Sequence, residues 1–123
     1  MTQRRYQPLL PISFGEALEL LKSGSHDELL ALAPRVGEYL ENWREAQDIC
    51  IRLLENDDPR VRNNAVMGLS YIARVHGKLD KRIVKPYLLR EMRCNSQFKE
   101  QIKMYIDDIN KFLNWNIGKR KLM

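Results

Sequence analysis

Apolar side chains recur at helical spacing along nearly the whole chain, and no sustained alternation of the kind that marks a half-buried strand interrupts them. No Asn-Gly or Asp-Gly hairpin turn occurs either. The pattern predicts helices, and capping residues divide them. The first covers FGEALELLKSG, beginning at Ser13 or Phe14, with Leu18 and Leu21 inward and Gly24 as its stop. Ser25 with Glu28 three residues on is a capping box. It opens the segment LLALAPRVGEYLENW, in which Pro34 either kinks the helix or begins a new one. Residues 44–55 make an amphipathic helix with Ala46, Ile49, Cys50 and Leu53 on one face.

The strongest helix start lies in NDDPRVRNNAVMGLSYIA, residues 56–73. Asp58 is the N-cap, Pro59 takes the favoured first helical position, and Asp57 adds negative charge near the positive end of the helix dipole. Val61, Ala65, Leu69 and Ile72 form its inward stripe, and it ends near Gly77. Residues 80–93 form another helix opened by Asp80, with Pro86 inside it. Asn95 or Ser96 is expected to cap the last long helix, QFKEQIKMYIDDINKFLNW. Its inward residues are Phe98, Ile102, Ile106 (or Tyr105), Ile109 and Phe112 or Leu113. Residues 118–123 read as a basic tail behind a single domain, 1–117. Six or seven helices with short loops imply an all-α fold of stacked antiparallel hairpins.

Internal comparison supports a repeat. Shifting residues 61–72 by 37 positions places Val61 on Phe98, Ala65 on Ile102, Leu69 on Ile106 and Ile72 on Ile109, and aligns Asp58 with Asn95. A shift of −32 places Val61 on Leu29, Ala65 on Ala33 and Ile72 on Leu40, but Leu69 lands on Gly37, a poorer match. Periods of roughly 32–40 residues with two helices each belong to solenoids. The stretch DDPRVRNNAVMGLSYIA resembles the second-helix signature of a HEAT repeat, with Asp58, Val61, Arg62, Ala65, Val66, Gly68, Leu69 and Ile72 on the signature positions. The resemblance implies a short HEAT-like α-solenoid of about three repeats. It also implies that Arg62 is structural, pairing with a loop acid of an adjacent repeat, here Asp57 or Asp27.

In a HEAT-like stack the second helices line a concave binding face. The residues of this helix that avoid the inward stripe are Arg60, Asn63, Asn64, Met67, Tyr71 and Arg74. The two shifts add Arg35 and Tyr39 on one side and Met104 and Asp108 on the other. Tyr, Met and Arg are enriched at protein interfaces, so these ten positions are the expected partner-binding ridge. The competing reading of each is packing against a neighbouring helix.

Charge changes this picture in one respect. Residues 1–62 hold 8 Lys/Arg against 11 Asp/Glu, and residues 63–123 hold 13 against 5. The basic half includes Lys78, Lys81, Arg82, Lys85, Arg90 and Arg93, and suits an acidic partner or a phosphate backbone. Against nucleic acid, the first half is acidic and the aromatics do not interleave with the basic cluster.

Catalytic chemistry has no support. His26 and His76 each sit beside a helix end, and no Ser-His-Asp order, Gly-rich phosphate loop, HExxH or CxxC occurs. Asp57-Asp58 and Asp107-Asp108 are poorly arranged for paired acid–base work. Cys50 and Cys94, in apolar helical contexts, are expected as buried free thiols, too few for a disulfide framework or a zinc site. No apolar run approaches the ~20 residues of a membrane span, and two prolines interrupt the N-terminal stretch where a secretory core would lie. The expectation is a cytoplasmic, cofactor-free, non-enzymatic protein-binding module. By size and fold it resembles the small HEAT-like immunity proteins that block a cognate bacterial toxin domain. A nucleic-acid-binding HEAT-like protein and a general scaffold are the alternatives.

Overall fold

The computed structural model describes residues 9–119, which form six α-helices and no strand. They are α1 (Phe14–Ser23), α2 (His26–Tyr39), α3 (Trp43–Leu53), α4 (Pro59–His76), α5 (Lys81–Cys94) and α6 (Lys99–Leu113), with one 3₁₀ turn, Ser96–Phe98, before α6. Local chemistry sets most of the starts. Ser13 with Glu16 and Ser25 with Glu28 make reciprocal capping boxes. Asn42, Asp58 and Asp80 accept backbone N–H groups at the starts of α3, α4 and α5. Gly77 ends α4 at φ +64°, a left-handed conformation that glycine adopts without steric cost.

α6 departs from expectation. Neither Asn95 nor Ser96 caps it, and its first turn has no side-chain cap. Asn95 is buried instead and donates to the Pro59 carbonyl (3.0 Å) and the Glu91 carboxylate (3.1 Å). The alignment of Asn95 with Asp58 therefore matches position and not role.

Pro34 neither splits nor ends α2, which runs unbroken from His26 to Tyr39. Proline cannot donate to the carbonyl four residues back. Asn64 of α4 supplies the missing donor, its Nδ2 lying 2.8 Å from the Leu30 oxygen.

α4 is the central element. It packs most heavily against α2, next against α6, and also against α3, while α1 rests on α2 and α3 and α5 rests mainly on α6. The expected inward stripes of α3 and α4 are buried, as are Ile102, Ile106 and Ile109 of α6. In α1 the fully buried residue is Ala17, with Leu18 and Leu21 only half-buried. At the far end Phe112 is exposed and Leu113 half-buried. Asn110 exchanges two hydrogen bonds with the backbone of Ile117, both 3.0 Å, and so fastens the segment after α6 to the core. Residues 120–123 of the expected tail lie outside the described residues.

Arg62 is structural, but its acid is neither Asp57 nor Asp27. Its Nε donates to Glu91 of α5 at 3.0 Å, and its Nη1 donates to the backbone carbonyls of Asn56 and Asp57. Glu91 is 1% exposed and also accepts from Arg90, whose Nη2 reaches the Leu54 carbonyl. The two guanidiniums thus tie α5 to the loop between α3 and α4. Cys50 is buried, and burial pushes its thiol pKa up; Cys94, expected buried, is exposed because it ends α5 on the solvent side.

Candidate protein-binding face

The stripe Arg60, Asn63/Asn64, Met67, Tyr71 and Arg74 steps along α4 by threes and fours, so it occupies one side of the helix. Its two ends behave differently. At the C-terminal end, Tyr71 is half-buried and lies against Gly37 of α2, close enough that a Cβ on Gly37 would be 2.9 Å from the Tyr71 Cβ. The Arg74 guanidinium sits 4.9 Å over the Tyr71 ring and pairs with Glu38 of α2. Tyr39, 41% exposed, follows Glu38.

On the other side Tyr71 meets α6. The Tyr105 hydroxyl is held above its ordinary pKa first by burial, then by the nearness of Tyr71 and Asp108. The assembled ridge therefore joins Glu38, Arg74 and Tyr71 across α2 and α4, with Tyr105 and Asp108 of α6 near Tyr71, half-buried Met67 one turn before it, and Tyr39 exposed at the end of α2. Met104 is 53% exposed and points away from the core on α6.

Four expected ridge residues are engaged elsewhere. Asn63 is 4% exposed, not outward, because it lies between α4 and α6 and donates to Gln101 (2.9 Å) and Asn64 (3.2 Å). Asn64 is half-buried and committed to Leu30. Arg35 fastens the segment before α1 through the carbonyls of Leu10 (3.0 Å) and Pro11 (3.1 Å). Arg60 stays exposed at the opposite end of α4, beside Asp58 and His26. Glu38 and Tyr105 are the ridge members that periodicity missed. Tyr105 stood only as an alternative core residue to Ile106, and Glu38 carries no sequence signal beyond its place before Tyr39.

Both histidines join helix ends. The His26 ring meets the Asp58 carboxylate at the start of α4, and the His76 ring lies 3.0 Å from the Leu40 carbonyl. Asp58 is held down at about 2, first by the Arg60 backbone N–H and then by the His26 ring. Of the expected basic cluster, Lys78, Lys81, Arg82, Lys85 and Arg93 are exposed, Lys81 lying 5.4 Å over the Trp115 ring. Arg90 is turned inward to Glu91 and Leu54. Among the described residues no group of three or more His, Cys, Asp and Glu could hold a metal, and no helix is long and apolar enough to cross a membrane.

No family model and no curated protein matches the chain. A solved chain does. It belongs to the crystal structure of a CDI complex from Cupriavidus taiwanensis LMG 19424, with a TM-score of 0.75 at 20% identity, covering 89% of this chain and 98% of that one. The two chains share a fold. At that identity the shared property is the arrangement of helices, and it extends over nearly the full length of both.

Proposed function

We propose that this chain is an immunity protein that binds and neutralises a cognate toxin domain in bacterial contact-dependent inhibition. The observation that carries the reading is the fold shared with a chain of a CDI complex, from end to end of that chain. On this reading α1–α2, α3–α4 and α5–α6 are three HEAT-like hairpins, and their second helices, α2, α4 and α6, present the binding face. The row α2–α4–α6 in the packing supports that arrangement. The protein acts in the cytoplasm by occupying its partner, without catalysis or cofactor.

The ridge suits the task. Tyr71 offers a ring already immobilised by Arg74 and Gly37, so little rotamer entropy remains to be lost on binding. Tyr39 and Met104 add exposed contact area at either side. The experiment is co-expression with the toxin domain encoded beside this chain, reading cell growth and the affinity of the purified pair. Growth should be restored by the wild-type chain. Tyr39→Ala with Tyr71→Ala should weaken the complex by about 2 kcal/mol or more, roughly 30-fold, while leaving the helical CD spectrum intact. Failure to protect against any toxin domain encoded beside it would sink the immunity reading; protection unaffected by the two substitutions would move the binding face elsewhere.

A further inference from the structure

A groove of about 530 Å³ lies between α5 and α6, lined by Leu89, Met92, Arg93, Lys99, Lys103 and Gly118. Leu89 and Met92 are half-buried and form an apolar floor, while the three cations stand exposed around it. Gly118 completes it at φ +75°, where a Cβ would lie 2.6 Å from the Met92 methyl carbon. The chain thus passes directly over the Met92 thioether, in a left-handed backbone conformation that favours glycine.

We infer that this groove docks an acidic segment of a protein partner, with one apolar side chain on Leu89 and Met92 and carboxylates on Arg93, Lys99 and Lys103. Charge complementarity carries the assignment. Among the described residues every ion pair lies elsewhere, so the three cations face one groove without an acid. Glu91, the carboxylate nearest Arg93 in sequence, is buried and held by Arg62 and Arg90. Glu100 and Asp107 lie one turn to either side of Lys103 on α6, but neither lines the groove and neither forms an ion pair with these cations. An acidic occupant would relieve the repulsion among the three cations.

Other occupants fit less well. No aromatic ring lines the groove, so a nucleic acid would find phosphate contacts but no base-stacking platform. The chain's own last residues, Arg-Lys-Leu-Met, carry the same sign of charge as the rim. The groove is also separate from the ridge. Lys103 and Tyr105 are two positions apart on α6, about 200° around the axis, so the two surfaces occupy opposite flanks of that helix and this inference stands apart from the immunity reading.

The test is a titration of the ¹⁵N-labelled full chain with the capped peptide Glu-Asp-Leu-Glu-Asp-Phe, followed residue by residue by NMR. The expected result is shift changes centred on Leu89, Met92, Arg93, Lys99, Lys103 and Gly118. Binding should weaken about 10-fold when Leu and Phe of the peptide become Ser, and about 10-fold again in Lys99→Glu/Lys103→Glu. The wild-type shift map decides the matter even where that variant folds poorly. No shifts at millimolar peptide, or shifts centred on Tyr39 and Tyr71, would overturn the proposal. A single-stranded hexanucleotide that moves the same residues more strongly than the peptide would overturn it in favour of nucleic acid.

Discussion

Gly37 and Gly68 set how closely α2 and α4 approach: a Cβ on Gly37 would stand 2.6 Å from the Gly68 carbonyl oxygen, and one on Gly68 would stand 2.7 Å from that of Ala33. Backbone atoms cannot swing aside as a side-chain end can, so the two helices cross with their main chains in contact. That approach brings Glu38 beside Arg74 and Gly37 against Tyr71, and so builds half of the ridge.

Gly68→Ala should therefore destabilise the fold by about 1–3 kcal/mol, as overpacking does, although alanine is the better helix former by up to about 1 kcal/mol. Gly15→Ala is the control, because nothing lies within 4 Å of a Cβ there. It should be neutral or stabilising by up to about 1 kcal/mol. Urea midpoints of the two variants measure the contrast; equal stability would mean that α2 and α4 do not touch at Gly68.

The Asn64 amide and Pro34 act as a compensated pair. Asn64→Ala leaves the Leu30 carbonyl without a donor and should cost about 1–3 kcal/mol. In a Pro34→Ala background the alanine N–H can reach the same carbonyl, so the cost of Asn64→Ala should shrink by at least about 0.5 kcal/mol. A double-mutant cycle by denaturant unfolding gives the coupling directly, and strict additivity would show that Asn64 contributes through something other than the carbonyl.

Glu91 holds two arginines in a buried network. Glu91→Ala should cost about 3 kcal/mol, the low end for a broken buried pair because Arg62 and Arg90 keep some access to water. Glu91→Leu should not restore that stability, since the arginines would still lack their acid. Thermal unfolding of both variants checks this, and loss of order in the loop after α3 should accompany it.

Acid should weaken the α2–α4 junction through Asp58. Its folded pKa, about 2, lies below the ordinary 3.8. A depressed carboxylate stabilises the fold above the ordinary value, and that stabilisation is lost as pH falls from about 3.8 through about 2. Asp58→Asn keeps a capping oxygen but cannot titrate. The fall in melting temperature over that window should be shallower in the variant than in the wild type, and parallel curves would rule Asp58 out as its source.

Much of the fold was legible because caps and stripes are local. Of the expected ridge, Tyr71 and Arg74, which follow from their angle around α4, do come together, while Tyr39 follows only from the repeat alignment. The same angle misassigned Asn63 and Asn64, because α2 and α6 flank α4 closely enough to cover side chains that one helix alone leaves in solvent. Gly37, which weakened the repeat alignment, is the residue that the close crossing requires.

What the sequence determined by itself is where helices begin and which side of each turns inward. A cap such as Asp58 acts on an N–H two residues away, and periodicity follows from 3.6 residues per turn. Only the tertiary structure decided which polar groups meet: Asn64 with Leu30 across 34 positions, Arg62 with Glu91 across 29. Periodicity gives the direction of a side chain but neither its neighbour nor its distance, and those are set by how closely the packed backbones approach, here at Gly37 and Gly68.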